Sequence, residues 1–218
     1  MITTYNPEHL GDVLMIILAP NANQQVVTTN ENVTRVSDLS SDKATGYNIF
    51  GIGEKLQIKH KSGQLTLTQE QIDVINQELK QAGFSDELTV EPTKLVIGYV
   101  ETVATHPDSD HLHVTETRVA NDKTLQIVSG SPNIKENIKV AVAQPGTMMP
   151  SGALIWDGEL RGVPSAGMIV SGRELHLPGA PDKPGALILP DDFGEVGDSF
   201  NFEKAANLYR DNLVDINY

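Results

Sequence analysis

The chain has 218 residues, of which 39% are hydrophobic and none is cysteine. This composition supports a folded core and excludes disulfides, thiolate zinc sites and cysteine catalysis. The formal net charge is −13, with 16 Lys and Arg against 29 Asp and Glu. This balance disfavours generic nucleic-acid binding, which relies on a basic surface. Both halves are acidic, so any site for a polyanion must be a local cluster of cations.

The longest apolar run extends only from Val13 to Ala19, which is too short to span a bilayer. Nothing near Met1 resembles a charged leader followed by a cleavage site. We therefore expect a cytoplasmic protein that does not associate with a membrane.

The first predicted unit, residues 1–91, contains several strand candidates. The apolar run at 13–19 follows a Gly-Asp turn and is typical of a buried strand. Weaker strand patterns occur at 25–29 and 47–52. No motif indicates what this unit does, and the sequence predicts only its α+β class.

One helix of the first unit is predicted by three signals. Thr68 and Gln71 have the spacing of a capping box, in which two side chains satisfy the first backbone N–H groups. Gly83 follows where a left-handed C-cap is expected. Between these signals, apolar residues recur on one face, namely Ile72, Ile75, Leu79 and Ala82.

The second predicted unit, residues 92–202, consists of short strands separated by turn residues. Such close spacing is typical of a small barrel or sandwich. A hairpin is predicted around Asn121 and Asp122. The strands are predicted at 94–103, 112–120, 124–128, 138–143, 153–156, 167–170 and 186–189.

Little helix is predicted after residue 92. A short helix is expected at 171–177, because Ser171 and Glu174 again have capping-box spacing. Residues 203–218 form a C-terminal tail, with a short helix predicted within 203–214.

The second unit also contains an ordered series of short motifs. They are Val96-Ile-Gly-Tyr-Val100, His106-Pro-Asp-Ser-Asp110, Leu125-Gln-Ile-Val128, Gly130-Ser-Pro-Asn133, Val140-Ala-Val-Ala143, Leu160-Arg-Gly-Val163, Ser165-Ala-Gly-Met168 and Ser171-Gly-Arg-Glu-Leu175. The series resembles the EMAP-type tRNA-binding domain, which also occurs in the β chain of bacterial phenylalanyl-tRNA synthetase. With an unrelated unit in front, the whole chain resembles the YtpR-type tRNA-binding proteins of bacteria.

This resemblance implies an all-β OB-fold barrel that binds tRNA in trans and has no synthetase activity. We expect no cofactor, no metal and no catalytic residue. The few aromatic residues favour recognition of a folded RNA by its shape and phosphates rather than by base stacking. The implied RNA-binding residues are Arg161, Arg173, Ser165, Met168, Asn133, Lys135, Lys139 and His111. The family often has lysine at position 111, so histidine weakens the expected electrostatics.

The two arginines of this set have an alternative interpretation. Arg161 precedes a turn, and Arg173 lies in the first turn of the helix predicted at 171–177. A helix N-terminus and a forked guanidinium both suit a phosphate or a base edge. Each arginine could instead be a surface residue paired with Glu159 or Glu174.

The other members have alternatives as well. Asn133 could recognise a base edge or close its own turn. Met168 could pack against a base or fill the core, and Ser165 could donate to a phosphate or a base. Lys135 and Lys139 could contact phosphate or remain solvated.

A cluster of histidines and aspartates is the only metal-like feature. A zinc site needs three or four converging ligands, and the spacing of these residues fits a capped turn better. The cluster comprises His106, Asp108, Asp110, His111 and His113.

Two other functions remain open. The acidic charge favours a module that docks an aminoacyl-tRNA synthetase or a ribosomal partner. A hydrolase acting on aminoacyl-tRNA is a further alternative, although the spacing of Asp12, Asp38, Asp42 and His60 does not support it. The resemblance also implies a homodimer.

Overall fold

A computed structural model describes all residues of the chain, 1–218. The chain divides into two compact units, Met1–Pro92 and Thr93–Tyr218. Strands dominate both units, and only one helix exceeds four residues. None of the helices has both the length and the apolar character needed to span a bilayer.

The first unit is built on one antiparallel sheet. Its strands are β1 (Ile2–Tyr5), β2 (Val13–Ile17), β3 (Gln25–Asn30), β4 (Val33–Asp38), β5 (Ala44–Phe50) and β6 (Gly63–Leu65). They lie side by side in the order β3-β4-β5-β2-β1-β6. The structure contains the predicted strands β2, β3 and β5, and it adds β1, β4 and β6. Strand β4 escaped prediction because its inward residues are Val33, Arg35 and Ser37, which do not form an apolar alternation.

The unit has two helices, α1 (Pro7–Leu10) and α2 (Gln69–Gln81). Helix α2 is the predicted helix. The Thr68 hydroxyl accepts a hydrogen bond from the Gln71 N–H, and the Gln71 side chain accepts one from the Thr68 N–H. Gly83 has a φ of +82°, as a left-handed C-cap requires. The predicted apolar face of α2 is buried within a single hydrophobic core.

A polar network lies at the edge of this core. The Arg35 side chain, only 12% exposed, donates from Nε to Asp86 Oδ2 at 2.8 Å and from Nη1 to Asp42 Oδ1 at 2.9 Å. The Tyr47 hydroxyl donates to the same Asp86 oxygen. Burial raises the pKa of Asp86, but the hydrogen bonds from Arg35 and Tyr47 outweigh it and lower the pKa overall.

The second unit contains one larger sheet and two small hairpins. Its strands are β7 (Leu95–Thr105), β8 (His113–Ala120), β9 (Lys123–Ser129), β10 (Ile138–Ala143), β11 (Thr147–Met148), β12 (Leu154–Ile155), β13 (Asp157–Leu160), β14 (Val163–Ala166), β15 (Met168–Ile169) and β16 (Ile188–Leu189). The larger sheet has the order β15-β10-β7-β8-β9, with β16 also paired to β10. The hairpins are β11-β12 and β13-β14.

The backbone ladder of the larger sheet does not close on itself, because β9 and β15 each end the series. Side chains nevertheless connect β9 to β14. The Val128 N–H donates to Ser165 Oγ at 3.0 Å, and Gln126 Nε2 donates to the Pro164 carbonyl at 2.7 Å. Ser165 is buried, so its hydroxyl serves this connection.

Strand β10 is packed on both of its faces, since alternate residues belong to two different hydrophobic clusters. Val140 and Val142 belong to one hydrophobic cluster with β7, β8 and β9. Ala141 and Ala143 belong to a second cluster, which is covered by residues from the segment 170–208. This second cluster contains no residue of β8 or β9.

The prediction of a helix at 171–177 is wrong, because the structure has only turns there. The capping contacts between Ser171 and Glu174 do form, at 2.7 to 3.1 Å. His176 then adopts a φ of +52°, which ends the helical path after one turn. Buried Leu175 and Leu177 alternate with exposed His176, a spacing that a helix does not bury on one side. The terminal helix is also shorter than predicted, since α3 covers only Phe202–Ala205.

Candidate nucleic-acid interface

The loop between β7 and β8 is held by a buried histidine. The backbone N–H of Asp108 donates to His106 Nδ1 at 3.0 Å, and His106 Nε2 lies 3.1 Å from the Leu160 carbonyl oxygen. Since Nδ1 accepts, the ring proton is on Nε2, which donates to that carbonyl. His106 therefore ties the loop to the β13-β14 hairpin, and both its nitrogens are engaged.

Arg161 lies in the turn of that hairpin. Arg161 and Gly162 have φ values of +47° and +78°, the signature of a tight type I′ turn. The Arg161 Nη1 donates to the Asp108 carbonyl at 3.0 Å, while the side chain is exposed. It pairs with no carboxylate, so four of its five N–H groups remain available. His111, in the same loop as Asp108, is also exposed.

We name His106, Asp108, His111 and Arg161 the rim group. No three or more of the histidine and aspartate side chains in this part of the chain are placed to hold a metal ion. The rim group thus combines one exposed guanidinium with one exposed imidazole on a loop fixed by hydrogen bonds.

Arg173 lies on a turn rather than at a helix N-terminus, so no helix dipole supports it. It pairs with Asp182 at 3.2 Å, not with Glu174, and the two side chains are 45% and 94% exposed. An ion pair this exposed is weak and easily exchanged for another anion.

Other cations lie near Arg173 around the last residues of the chain. Lys183 donates to the carbonyls of Ile216 and Tyr218, at 2.6 and 3.1 Å, and its ammonium lies 4.2 Å from the centre of the Tyr218 ring. Arg173 is close enough to lower the pKa of Tyr218, although burial and Asp215 outweigh it and raise that pKa overall. Lys135 and Tyr218 line the same small cleft, and Lys135 is exposed. We name Lys135, Arg173, Lys183 and Tyr218 the tail group.

Four of the predicted site residues have structural partners. Ser165 connects β14 to β9, as described above, and Met168 packs against the second hydrophobic cluster. Lys139 Nζ donates to the carbonyls of Asp191 and Gly194, at 2.6 and 2.7 Å. Asn133 forms two hydrogen bonds with the backbone of Ala186, and it neither closes its own turn nor points a free amide outward.

Replacing Asn133 with alanine should destabilise the second unit. The Asn133 amide donates to the Ala186 carbonyl at 2.9 Å and accepts from its N–H at 2.8 Å, and Ala186 is buried. Asn133→Ala leaves both backbone groups unpaired, at a cost of about 2 kcal/mol. Urea unfolding followed by the fluorescence of Trp156 would measure it. Unchanged stability would mean that water replaces the amide.

Comparison with known proteins gives a family for the chain. Residues 95–199 match a family model described as "Putative tRNA binding domain". The chain is 40% identical over 200 residues to "Putative tRNA-binding protein YtpR" of Bacillus subtilis, an alignment that covers 91% of this chain and 98% of that protein. The chain belongs to the YtpR family.

The two units of this YtpR-family chain match different families. Residues 20–91 match a domain of unknown function, DUF4479. The second unit is similar to part of a larger enzyme: the alignment to the phenylalanine–tRNA ligase β subunit of Oceanobacillus iheyensis has 53% identity over 83 residues, but it covers 10% of that subunit. A crystal structure of the C-terminal domain of Plasmodium vivax p43 is 26% identical, with a TM-score of 0.36, and the match covers 55% of this chain and 77% of that one.

Sequence reasoning placed His106 and Asp108 in a capped turn, and the bond from the Asp108 N–H to His106 Nδ1 is such a cap. It did not assign these two residues, or Lys183 and Tyr218, to the rim and tail groups. Asp108 contributes a backbone carbonyl, which no residue type reveals. Lys183 and Tyr218 meet across 35 residues, and neither belongs to a recognisable motif.

Proposed function

We propose that this protein binds tRNA through its second unit and catalyses no reaction on it. The observation that carries the proposal is the match of residues 95–199 to a tRNA-binding family model. The same segment holds Arg161, Arg173 and Lys135, whose exposed charges could face a polyanion. Both ring nitrogens of His106 are engaged in hydrogen bonds, which argues against a proton-transfer role for His106.

The proposal includes an OB-type barrel. The ladder runs from β15 through β10, β7 and β8 to β9, and side-chain hydrogen bonds from β9 to β14 would complete the circuit. OB-folds bind nucleic acid on the face of their second and third strands, flanked by the loops after the first and fourth strands. In this chain the second and third strands would be β8 and β9. The loop after the first strand would be the β7-β8 loop, and the loop after the fourth strand would include the β13-β14 hairpin. His106 and Arg161 connect these two loops by hydrogen bonds. The rim group would therefore meet the RNA.

Few cations are available for this role, because the fold uses many of them. Lys139, Lys183 and Lys204 each donate to two backbone carbonyls, and Arg118 pairs with Glu101. A net-acidic chain binds RNA only if a small number of well-placed cations contact phosphates. With about three phosphates neutralised, the logarithm of the binding constant should fall with the logarithm of salt concentration at a slope of roughly −2 to −3.

Charge reversal tests the proposal. Arg161→Glu and Arg173→Glu should each weaken tRNA binding at least tenfold, or about 1.4 kcal/mol, because each replaces an attraction to phosphate with a repulsion. Lys61→Glu, an equal charge change at an exposed site of the first unit, should have little effect. Fluorescence anisotropy with labelled tRNA at several salt concentrations would measure both affinity and slope.

The same titrations would also reveal results that contradict the proposed binding site. Equal losses from all three variants would indicate diffuse electrostatics, and unchanged binding for both arginine variants would exclude the two cation groups. Because Arg161 also holds the Asp108 loop, Arg161→Lys should be measured as well. It keeps the charge, so it should lose less affinity than Arg161→Glu, and a matched thermal unfolding curve would separate binding from folding.

A further inference from the structure

Strand β3 forms one edge of the sheet in the first unit. All six of its residues are exposed, and Val27 is 63% exposed. Only β4 pairs with it, so its other side has no strand. An uncovered strand edge presents a row of unpaired N–H and C=O groups that another strand can extend.

The hairpin geometry identifies the unpaired groups. Asn30 and Val33 flank a two-residue turn and therefore exchange hydrogen bonds. Counting back along β3, the N–H and C=O groups of 26 and 28 also face β4, and the Leu39 N–H to Gln24 carbonyl bond continues this alternation. The backbone groups of Gln25, Val27 and Thr29 consequently point outward.

This edge lacks the features that usually prevent strand addition. The segment Gln25-Val-Val-Thr-Thr-Asn30 contains no charge and no proline, and its pairing with β4 has no bulge. The opposite edge strand, β6, has only three residues and begins with glycine. Of the two edges, β3 is therefore the one suited to pairing.

We propose that β3 pairs antiparallel with β3 of a second copy of the chain. A two-fold axis at Val27 places Val27 opposite its equivalent and Gln25 opposite Thr29 of the other copy, so each outward N–H meets an outward C=O. A chain of net charge −13 repels its own copies over most of its surface, and an uncharged strand is where contact is least opposed. The pair forms a continuous twelve-stranded sheet and leaves no β3 edge free.

Two variants of the full chain test this dimer. Val27→Pro removes an outward N–H and leaves the ladder to β4 intact, while Val27→Lys places two ammonium groups face to face across the axis. Leu10→Lys is the matched control, since Leu10 is 55% exposed in the same unit and away from β3. Sedimentation equilibrium should give the unsubstituted chain twice the mass of the 23.6 kDa protomer. Both Val27 variants should raise the dimer dissociation constant at least tenfold, and Leu10→Lys should not.

The proposal fails if the unsubstituted chain is monomeric at every concentration tested. It also fails if a dimer forms and persists in both Val27 variants, because the interface then lies elsewhere. Circular dichroism would show whether each variant is folded. If Val27→Pro is unfolded, the dissociation constant of Val27→Lys alone tests the proposed dimer. The result is independent of tRNA binding, which the charge-reversal variants report separately.

Discussion

Replacing Gly167 with alanine should strongly destabilise the second unit. Gly167 joins β14 to β15 with a φ of +105°, where an alanine is strained, and its added Cβ would lie 2.6 Å from the Ala143 carbonyl oxygen. That oxygen belongs to the backbone of β10, which pairs with β15, so neither side can move without breaking the sheet. Strain and overpacking together should cost about 3 kcal/mol or more.

Gly152→Ala is the matched control for this substitution. Gly152 has a φ of +87°, but nothing lies within 4 Å of the position its Cβ would take. It should therefore cost only the backbone strain, roughly 1 kcal/mol. Trp156, the only tryptophan, lies in the same unit and reports unfolding by its fluorescence in urea. Equal losses from the two variants would mean that the Ala143 contact relaxes freely.

Neutralising Asp86 should clearly destabilise the first unit. Asp86→Asn keeps the shape of the side chain, but it leaves the nearly buried Arg35 guanidinium without its main counter-charge and places an amide N–H₂ near the Tyr47 hydroxyl. The expected loss is about 2 kcal/mol. Asp42 is the other carboxylate partner of Arg35, and its side chain is 86% exposed. Asp42→Asn makes the same change there and should cost less than about 1 kcal/mol.

The Asp86→Asn variant and the unsubstituted chain should differ in acid. The pKa of Asp86 is lower in the folded chain than the value of about 3.9 for an unfolded aspartate. Its contribution to stability is therefore complete above pH of about 4 and disappears as the pH falls through the folded-state pKa. Hydrogen exchange of β4 and β5 amides against pH should show a shallower acid loss in Asp86→Asn than in the unsubstituted chain. An identical slope in both would contradict the assignment.

Local signals predicted local structure well. The capping box at Thr68, the hairpin at Asn121 and the strand Ile138–Ala143 all depend on residues close in sequence, and the structure contains them. The capping contacts at Ser171 also formed, yet no helix followed, because Leu175 and Leu177 are drawn into a core made with distant residues. A local motif indicates how a turn begins, and long-range packing decides how far it continues.

The candidate site shows the same limit more strongly. Asn133 and Lys139 have residue types suited to RNA contact, but their partners are backbone groups 52 to 55 residues away. Backbone groups carry no sequence signal, so these contacts could not be read from composition or spacing. Arg161 and Arg173 remain predictions that the binding measurements would test.

The lysine contacts of the second unit also determine its surface chemistry. A lysine ammonium held by two backbone carbonyls must give up those hydrogen bonds before it can react with an acylating reagent, and Lys139, Lys183 and Lys204 are held in this way. Lys123 donates to Gln144, and Lys94 also has a partner. Lys135 has none and is exposed, so among the lysines of the second unit an amine-directed label should attach there first. Within the second unit, the fold thereby leaves one lysine amine without a partner, beside the cleft that Tyr218 lines.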